Sequence, residues 1–115
     1  MPKQRITREM ILDVAFKLAK DNGFEQVVLK SIADEIECSV QPIYSYFSNM
    51  ETLKEAVVAE AMQFYNKFIY SRVEKERVLE SMARANVAFA KYETNLFKLL
   101  FLQKLNGLNS LRVDG

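Results

Sequence analysis

Histidine and tryptophan are absent from this chain of 115 residues, and cysteine occurs once, at Cys38. A lone thiol with no imidazole anywhere cannot build the Cys and His sets that hold zinc, a Cys–His pair or a Ser–His–Asp triad. One cysteine cannot close an internal disulfide either, and no leader pattern opens the sequence, so a cytoplasmic setting is expected. Long apolar runs are also missing. None exceeds four residues, as in Leu99 to Leu102 between Lys98 and Gln103, far short of the roughly 20 residues of a membrane span. With no acid/base pair, metal set or phosphate loop, the sequence leads us to expect no enzyme, no catalytic residue, no metal and no cofactor.

Glycine (3) and proline (2) are scarce, while half of the residues are hydrophobic. Val, Ile and Thr never alternate over a useful span, so the composition specifies an all-α chain with few irregular loops. At this length it forms one or two small helical units with a real core.

What is present is helical periodicity. Thr7 caps a first helix whose apolar face is Ile11, Leu12, Ala15, Phe16, Leu18 and Ala19, with Glu9 near the positive end of its dipole. Asn22-Gly23 ends it, Gly23 in the left-handed position, with Phe24 folding back on the last turn. A second helix over about Leu29 to Ile36 buries Leu29, Ile32, Ala33 and Ile36, with Val28 standing where a capping Ser or Thr would serve better. Glu37-Cys38 makes the turn. Ser39 is predicted to cap a third helix through the N–H of Gln41, because Pro42, inside the first turn, has none. Ile43 and Phe47 anchor that helix. A fourth begins at Ser48-Asn49-Met50-Glu51, by a capping box or with Asn49 as the cap, and runs to about Arg72. Its inward positions are Leu53, Val57, Ala61, Phe64, Phe68 and Ile69, and its roughly 23 residues span about 35 Å. After a break near Val73 to Lys75, a fifth helix over about Glu76 to Lys91 turns Val78, Met82, Ala85 and Phe89 inward. Glu93-Thr94-Asn95 caps a sixth over Leu96 to Leu105, apolar almost all round, which Gly107 stops. Cys38 is either a redox sensor or, as free cysteines more often are, a small buried hydrophobe.

The stretch Leu29 to Phe47 carries the most information. It reads as two short helices joined by a tight turn, the second displaying hydroxyls, an amide and two phenols. Such a helix, packed lightly on its neighbour, is built to lie in a DNA groove. Net charge does not announce that partner. The chain carries 16 Lys and Arg against 15 Asp and Glu, and residues 1–50 hold six basic and seven acidic side chains, a net of −1. A DNA-binding unit is usually basic. The positive charge is gathered instead in an N-terminal arm of Lys3, Arg5 and Arg8. Asp34, Glu35 and Glu37 end the second helix, where they can face away from phosphate.

Residues 5–55 resemble the DNA-binding domain of the TetR family of bacterial transcriptional regulators. The resemblance is carried by Ile11, Ala15, Gly23-Phe24, Ile32-Ala33, Ser39, Ile43-Tyr44, Tyr46-Phe47, Glu51 and Leu53. Residues 79–102, with Phe89-Ala90 and Leu96-Phe97-Lys98-Leu99-Leu100-Phe101, more loosely look like the opening helices of such a regulator's second domain. The resemblance implies a homodimer whose helix-turn-helix units enter successive major grooves of a palindromic, double-stranded operator, and no membrane partner. Carried onto this chain, Val40, Gln41, Pro42 and Ser45 face the groove, Tyr44 and Tyr46 meet phosphate, and Ser39 is both cap and phosphate donor. Gln41 is the base reader, since its amide can pair with both edge groups of adenine. Arg5 and Lys30 supply further phosphate contacts.

The chain departs from the family where Met50 replaces a phosphate-touching Lys, Glu37 replaces Gly in the turn, and Val27 and Val28 replace Ser or Thr. Glu37 is therefore expected in a left-handed conformation at some cost. The expected organisation is a helix-turn-helix domain over residues 1–55 and, over 56–115, the start of a helical ligand-binding and dimerisation domain. Family members carry further helices after these, so the chain is expected to be a fragment, a truncated gene or a compact member. Its greasy sixth helix either pairs with a second chain or stays partly exposed. The implied function is a transcriptional regulator, a repressor released by a small-molecule effector, with Phe64, Phe68, Phe89 and Phe101 as candidate effector contacts. The alternative is a helical protein-interaction module of the same fold that has lost strong DNA binding.

Overall fold

The computed structural model describes residues 5–102, which form helices joined by short turns and extended links, with no strand among these residues. Six α-helices follow in order: α1 (Arg8–Asn22), α2 (Leu29–Ile36), α3 (Gln41–Tyr46), α4 (Met50–Tyr70), α5 (Val78–Tyr92) and α6 (Thr94–Phe97). The chain divides into two compact units between Val57 and Val58, inside α4. No helix among the described residues is long and apolar enough to cross a membrane.

The first unit is built on α1, which packs against α2 and α3. Thr7, in extended conformation, accepts a hydrogen bond from the Met10 N–H at 3.1 Å and so satisfies one free donor of the first turn. Ile11, Leu12, Ala15 and Ala19 are buried at helical spacing. Gly23 leaves the helix at φ 108° and ψ 153°, an extended mirror-image conformation rather than the left-handed helical one expected, and one open only to glycine. That exit starts a tight turn, Phe24–Gln26, which delivers Val27, fully buried, to the core. Phe24 is only half-buried, and the Lys54 ammonium lies 5.7 Å from its ring centroid. The core is completed by Ile32, Ala33, Ile43, Phe47, Leu53 and Val57. Leu29 and Ile36, expected inside, are half-buried at the two ends of α2.

α2 ends as expected, with Glu37 left-handed at φ 62° and ψ 49°. The Glu37 N–H donates to the Asp34 carbonyl at 3.2 Å, and the Cys38 N–H to that of Ala33 at 3.0 Å. This pair of bonds is the Schellman closure, which satisfies two carbonyls that the helix leaves open. Cys38 follows half-buried rather than in the core.

In the second unit, Phe89 is fully buried among the rings of Tyr65, Phe68 and Phe64, at centroid distances of 5.0, 5.2 and 6.4 Å. The first two contacts are edge-on, the arrangement aromatic quadrupoles favour. Tyr65 also donates its hydroxyl to Asn86 Oδ1, while Asn86 Nδ2 donates to the Met82 carbonyl at 2.9 Å. α4 ends at Tyr70, before the expected Arg72, and a turn at Lys75–Arg77 precedes α5. Buried Ser81 clamps this connection: its Oγ accepts from the Glu74 N–H at 2.9 Å and donates to the Val78 carbonyl at 3.1 Å. Ser81, Ala85 and Phe89 form the inward row of α5. Val78, expected on that row, is 45% exposed, because it opens the helix and Ser81 takes the inward place one turn later.

Thr94 does not cap a new helix. Its hydroxyl donates to the Ala90 and Lys91 carbonyls at 2.8 and 3.1 Å, closing the end of α5. α6 is a single turn that widens into a π-helical turn over Lys98–Leu102. Leu96, Leu99 and Leu100 are buried while Leu102 is 46% exposed, so the apolar girth of this segment is only partly used. The expected continuation to Leu105 and Gly107 lies outside the described residues.

Candidate nucleic-acid interface

A helix of six residues is far below the length that is stable alone, so α3 holds its shape through its anchors. Ile43 and Phe47 are 1% and 2% exposed, and the Phe47 N–H donates to the Ile43 carbonyl at 3.0 Å. Pro42 sits in the first turn, where a missing N–H costs little. Ser39 does not cap this helix. The turn begins at Val40, already in helical conformation and without a side-chain cap bond, and its carbonyl accepts from Ile43 and Tyr44. With the cap displaced by one residue, the exposed Ser39 hydroxyl makes no hydrogen bond among the described residues.

The remaining side chains of the stretch turn outward. Ser39, Val40, Gln41, Tyr44, Ser45 and Tyr46 are exposed and Pro42 is half-buried. The outward face thus carries an amide, four hydroxyls and small apolar groups, suited to base edges and phosphate oxygens. Ser45 donates weakly to the Gln41 carbonyl at 3.4 Å, a bond within the helix. The Tyr44 hydroxyl makes no hydrogen bond among the described residues, and the residue is 49% exposed. Tyr46 differs: its hydroxyl donates to the Ile6 carbonyl at 2.9 Å, so its one donor is engaged inside the protein.

Exposed cations stand on neighbouring segments of the unit. Lys30 is exposed in the first turn of α2, and Arg5 is exposed just before α1. Lys3 lies outside the described residues. Arg8, expected in the basic arm but not against α3, places its guanidinium 4.9 Å from the Phe47 ring centroid and so brings a cation to the end of α3. No spacing rule links residues 8 and 47, and only the packing of α1 on α3 joins them. At the start of α4, Asn49 is the cap: its Oδ1 accepts from the Thr52 N–H at 2.8 Å and the Thr52 hydroxyl at 3.0 Å.

Two family departures acquire a physical reading here. Val27 is fully buried, so a hydroxyl at that position would lie in the core rather than on phosphate. Val28 is 42% exposed and stands at the head of α2 with no cap bond.

The profile of the family described as bacterial regulatory proteins, tetR family, matches residues 11–57, the segment holding all the anchors of the helix-turn-helix. The N-terminal unit of this chain belongs to the tetR family. A curated relative, the HTH-type nicotine-responsive transcriptional repressor HdnoR of Paenarthrobacter nicotinovorans, is 30% identical over 56 residues. That match takes in 49% of this chain and 29% of the relative, so the chain spans well under half of that protein's length. No solved structure matches the chain.

The aromatic residues singled out as effector contacts lie outside the tetR-type unit and serve as packing. Phe64, Phe68 and Phe89 are ring neighbours, and Phe101 meets Tyr65 edge-on at 5.1 Å. A hollow of about 470 Å³ in the second unit is lined by other residues, among them Arg72, Ser81, Arg84, Val87, Lys91 and Tyr92.

Proposed function

We propose that the chain is the DNA-reading part of a sequence-specific transcriptional regulator, a cytoplasmic repressor without enzymatic activity. The observation that carries this reading is the two-sided character of α3: Ile43 and Phe47 are sealed in the core while Val40, Gln41, Tyr44 and Ser45 are presented together. Gln41 reads a base, Val40 and Pro42 offer apolar contact to a thymine methyl, and Ser39, Tyr44, Ser45, Lys30 and Arg5 meet phosphate.

A recognition helix of six residues reads few base pairs, which supports action as a homodimer with two copies about 34–36 Å apart in successive major grooves. Release by a small-molecule effector is supported by the likeness to a repressor named as nicotine-responsive. Such an effector would act by tilting α4, because Leu53 and Val57 of that helix share the first unit's core with Ile43 and Phe47. If it entered among Phe64, Phe68, Phe89 and Phe101, it would replace ring contacts rather than fill a void. The domain roles follow the same reading, with DNA contact assigned to residues 1–55 and effector binding and dimerisation beginning at 56.

The test is binding to sites selected from a random duplex pool. Gln41→Ala should relax preference at one base position by about 1–3 kcal/mol, whereas Arg5→Ala should weaken all sequences alike and lower the salt slope by about 1. Both variants matching the wild type would show that these residues are wrongly assigned. Salt-independent or absent duplex binding would favour the protein-interaction module, a reading that the net −1 of residues 1–50 and Met50 support.

A further inference from the structure

The end of α3 grips the arm at two points. The Tyr46 hydroxyl donates to the Ile6 carbonyl across 40 residues of sequence, and the next ring, Phe47, lies under the Arg8 guanidinium. Tyr46 is 42% exposed, so burial alone does not call for its ring, and its hydroxyl is the group with a defined partner. We propose that Tyr46 is a positioning residue, a latch holding the basic arm against α3 so that Arg5 meets phosphate in register with Gln41 and Tyr44.

The effect on DNA rests on the reading of the preceding section; the latch itself does not. Successive Cα atoms are about 3.8 Å apart, so fixing the Ile6 carbonyl confines Arg5 to within one residue of a held point. An arginine on a loose arm loses backbone freedom when it binds, and a latched one has lost it beforehand. A phenol has a single O–H donor. While that donor is on Ile6 it cannot also donate to phosphate, so Tyr46 acts through Arg5 and not directly.

Tyr46→Phe removes the hydroxyl and keeps the ring. In the absence of DNA, limited trypsin digestion should cut the Arg5–Ile6 bond about two- to tenfold faster than in the wild type, the range set by one net hydrogen bond. Cleavage after Arg72, in the α4–α5 connection, should be unchanged. Equal rates at Arg5 would overturn the latch whatever the DNA result.

The second arm of the test measures affinity for a random-sequence duplex at low salt, where phosphate contacts dominate. It compares the wild type, Tyr46→Phe, Arg5→Ala and the double variant. Tyr46→Phe should bind about two- to tenfold more weakly, and this loss should vanish in the Arg5→Ala background. Additive losses would mean that Tyr46 touches phosphate itself and would overturn the proposal. No duplex binding by any variant would overturn the DNA reading and the role given to the latch, leaving the digestion to decide the latch alone.

Discussion

The uncapped start of α2 offers a reciprocal experiment. Val28 has φ −125° and ψ 152°, close to the φ −117° and ψ 162° of Thr7, which does cap its helix. The backbone of Val28 is therefore already in capping conformation and lacks only the oxygen. The Ile32 N–H is satisfied by the Val28 carbonyl at 3.1 Å, while the three donors before it have no intrahelical partner. Val28→Thr should let the new hydroxyl accept from the Ser31 N–H, three residues on, as Thr7 does from Met10. A cap is worth about 1 kcal/mol. Against this stands the loss of a methyl from a residue 42% exposed, about 0.4 kcal/mol if half of a buried methyl's value is forfeited. The net gain is about 0.5 kcal/mol, or roughly 2–4 °C in Tm. Thr7→Val should cost about 1 kcal/mol. Urea unfolding followed by circular dichroism measures both as shifts of the midpoint at constant slope. If Thr7→Val lowers the midpoint but Val28→Thr leaves it unmoved, the α2 donors are already satisfied and the argument fails. If neither moves, capping does not stabilise this unit.

Two further outcomes follow from single residues. Glu37→Gly should stabilise the first unit by about 1 kcal/mol, since it removes the left-handed penalty and an acid at a helix C-terminus, less the added freedom of glycine in the unfolded chain. A lowered urea midpoint would refute this. Phe89→Ala should cost about 3–5 kcal/mol and abolish slow hydrogen exchange in α5, because it empties the centre of a ring cluster. Exchange like that of the wild type would show that the cluster is not the second unit's core.

The fold was largely legible because helical periodicity is a local signal. Ile11, Leu12, Ala15 and Ala19 declare one face of α1, and Ile32 with Ala33 declares that of α2, without reference to anything distant. The caps at Thr7 and Asn49 are likewise readable, since each depends on a few neighbouring atoms, while the left-handed Glu37 is implied by the family resemblance, which has Gly at that position. Errors gathered where two local solutions compete. Ser39 is a good cap, yet the chain starts α3 one residue later. Thr94 is a good cap as well, yet its hydroxyl turns back to the carbonyls of α5. Gly23 looks like an ordinary helix stop in the sequence, because a glycine does not reveal which positive-φ basin it occupies. The inward row of α5 starts at Ser81 rather than at Val78, and a buried serine carries no hydropathy signal.

By itself, the sequence determined an all-α chain, the anchors Ile43 and Phe47, and the outward set around Gln41 and Tyr44. These follow from which side chains avoid water at a spacing of three and four residues. Only the tertiary structure decided that Val27 is core, that the aromatic residues of the second unit pack on one another, and that Tyr46 and Arg8 tie the arm to α3. Those pairings join residues some 20 to 40 positions apart, and nothing in a local pattern encodes which distant carbonyl or ring a side chain will meet. That is set when packing α1 against α3 brings two ends of the unit together.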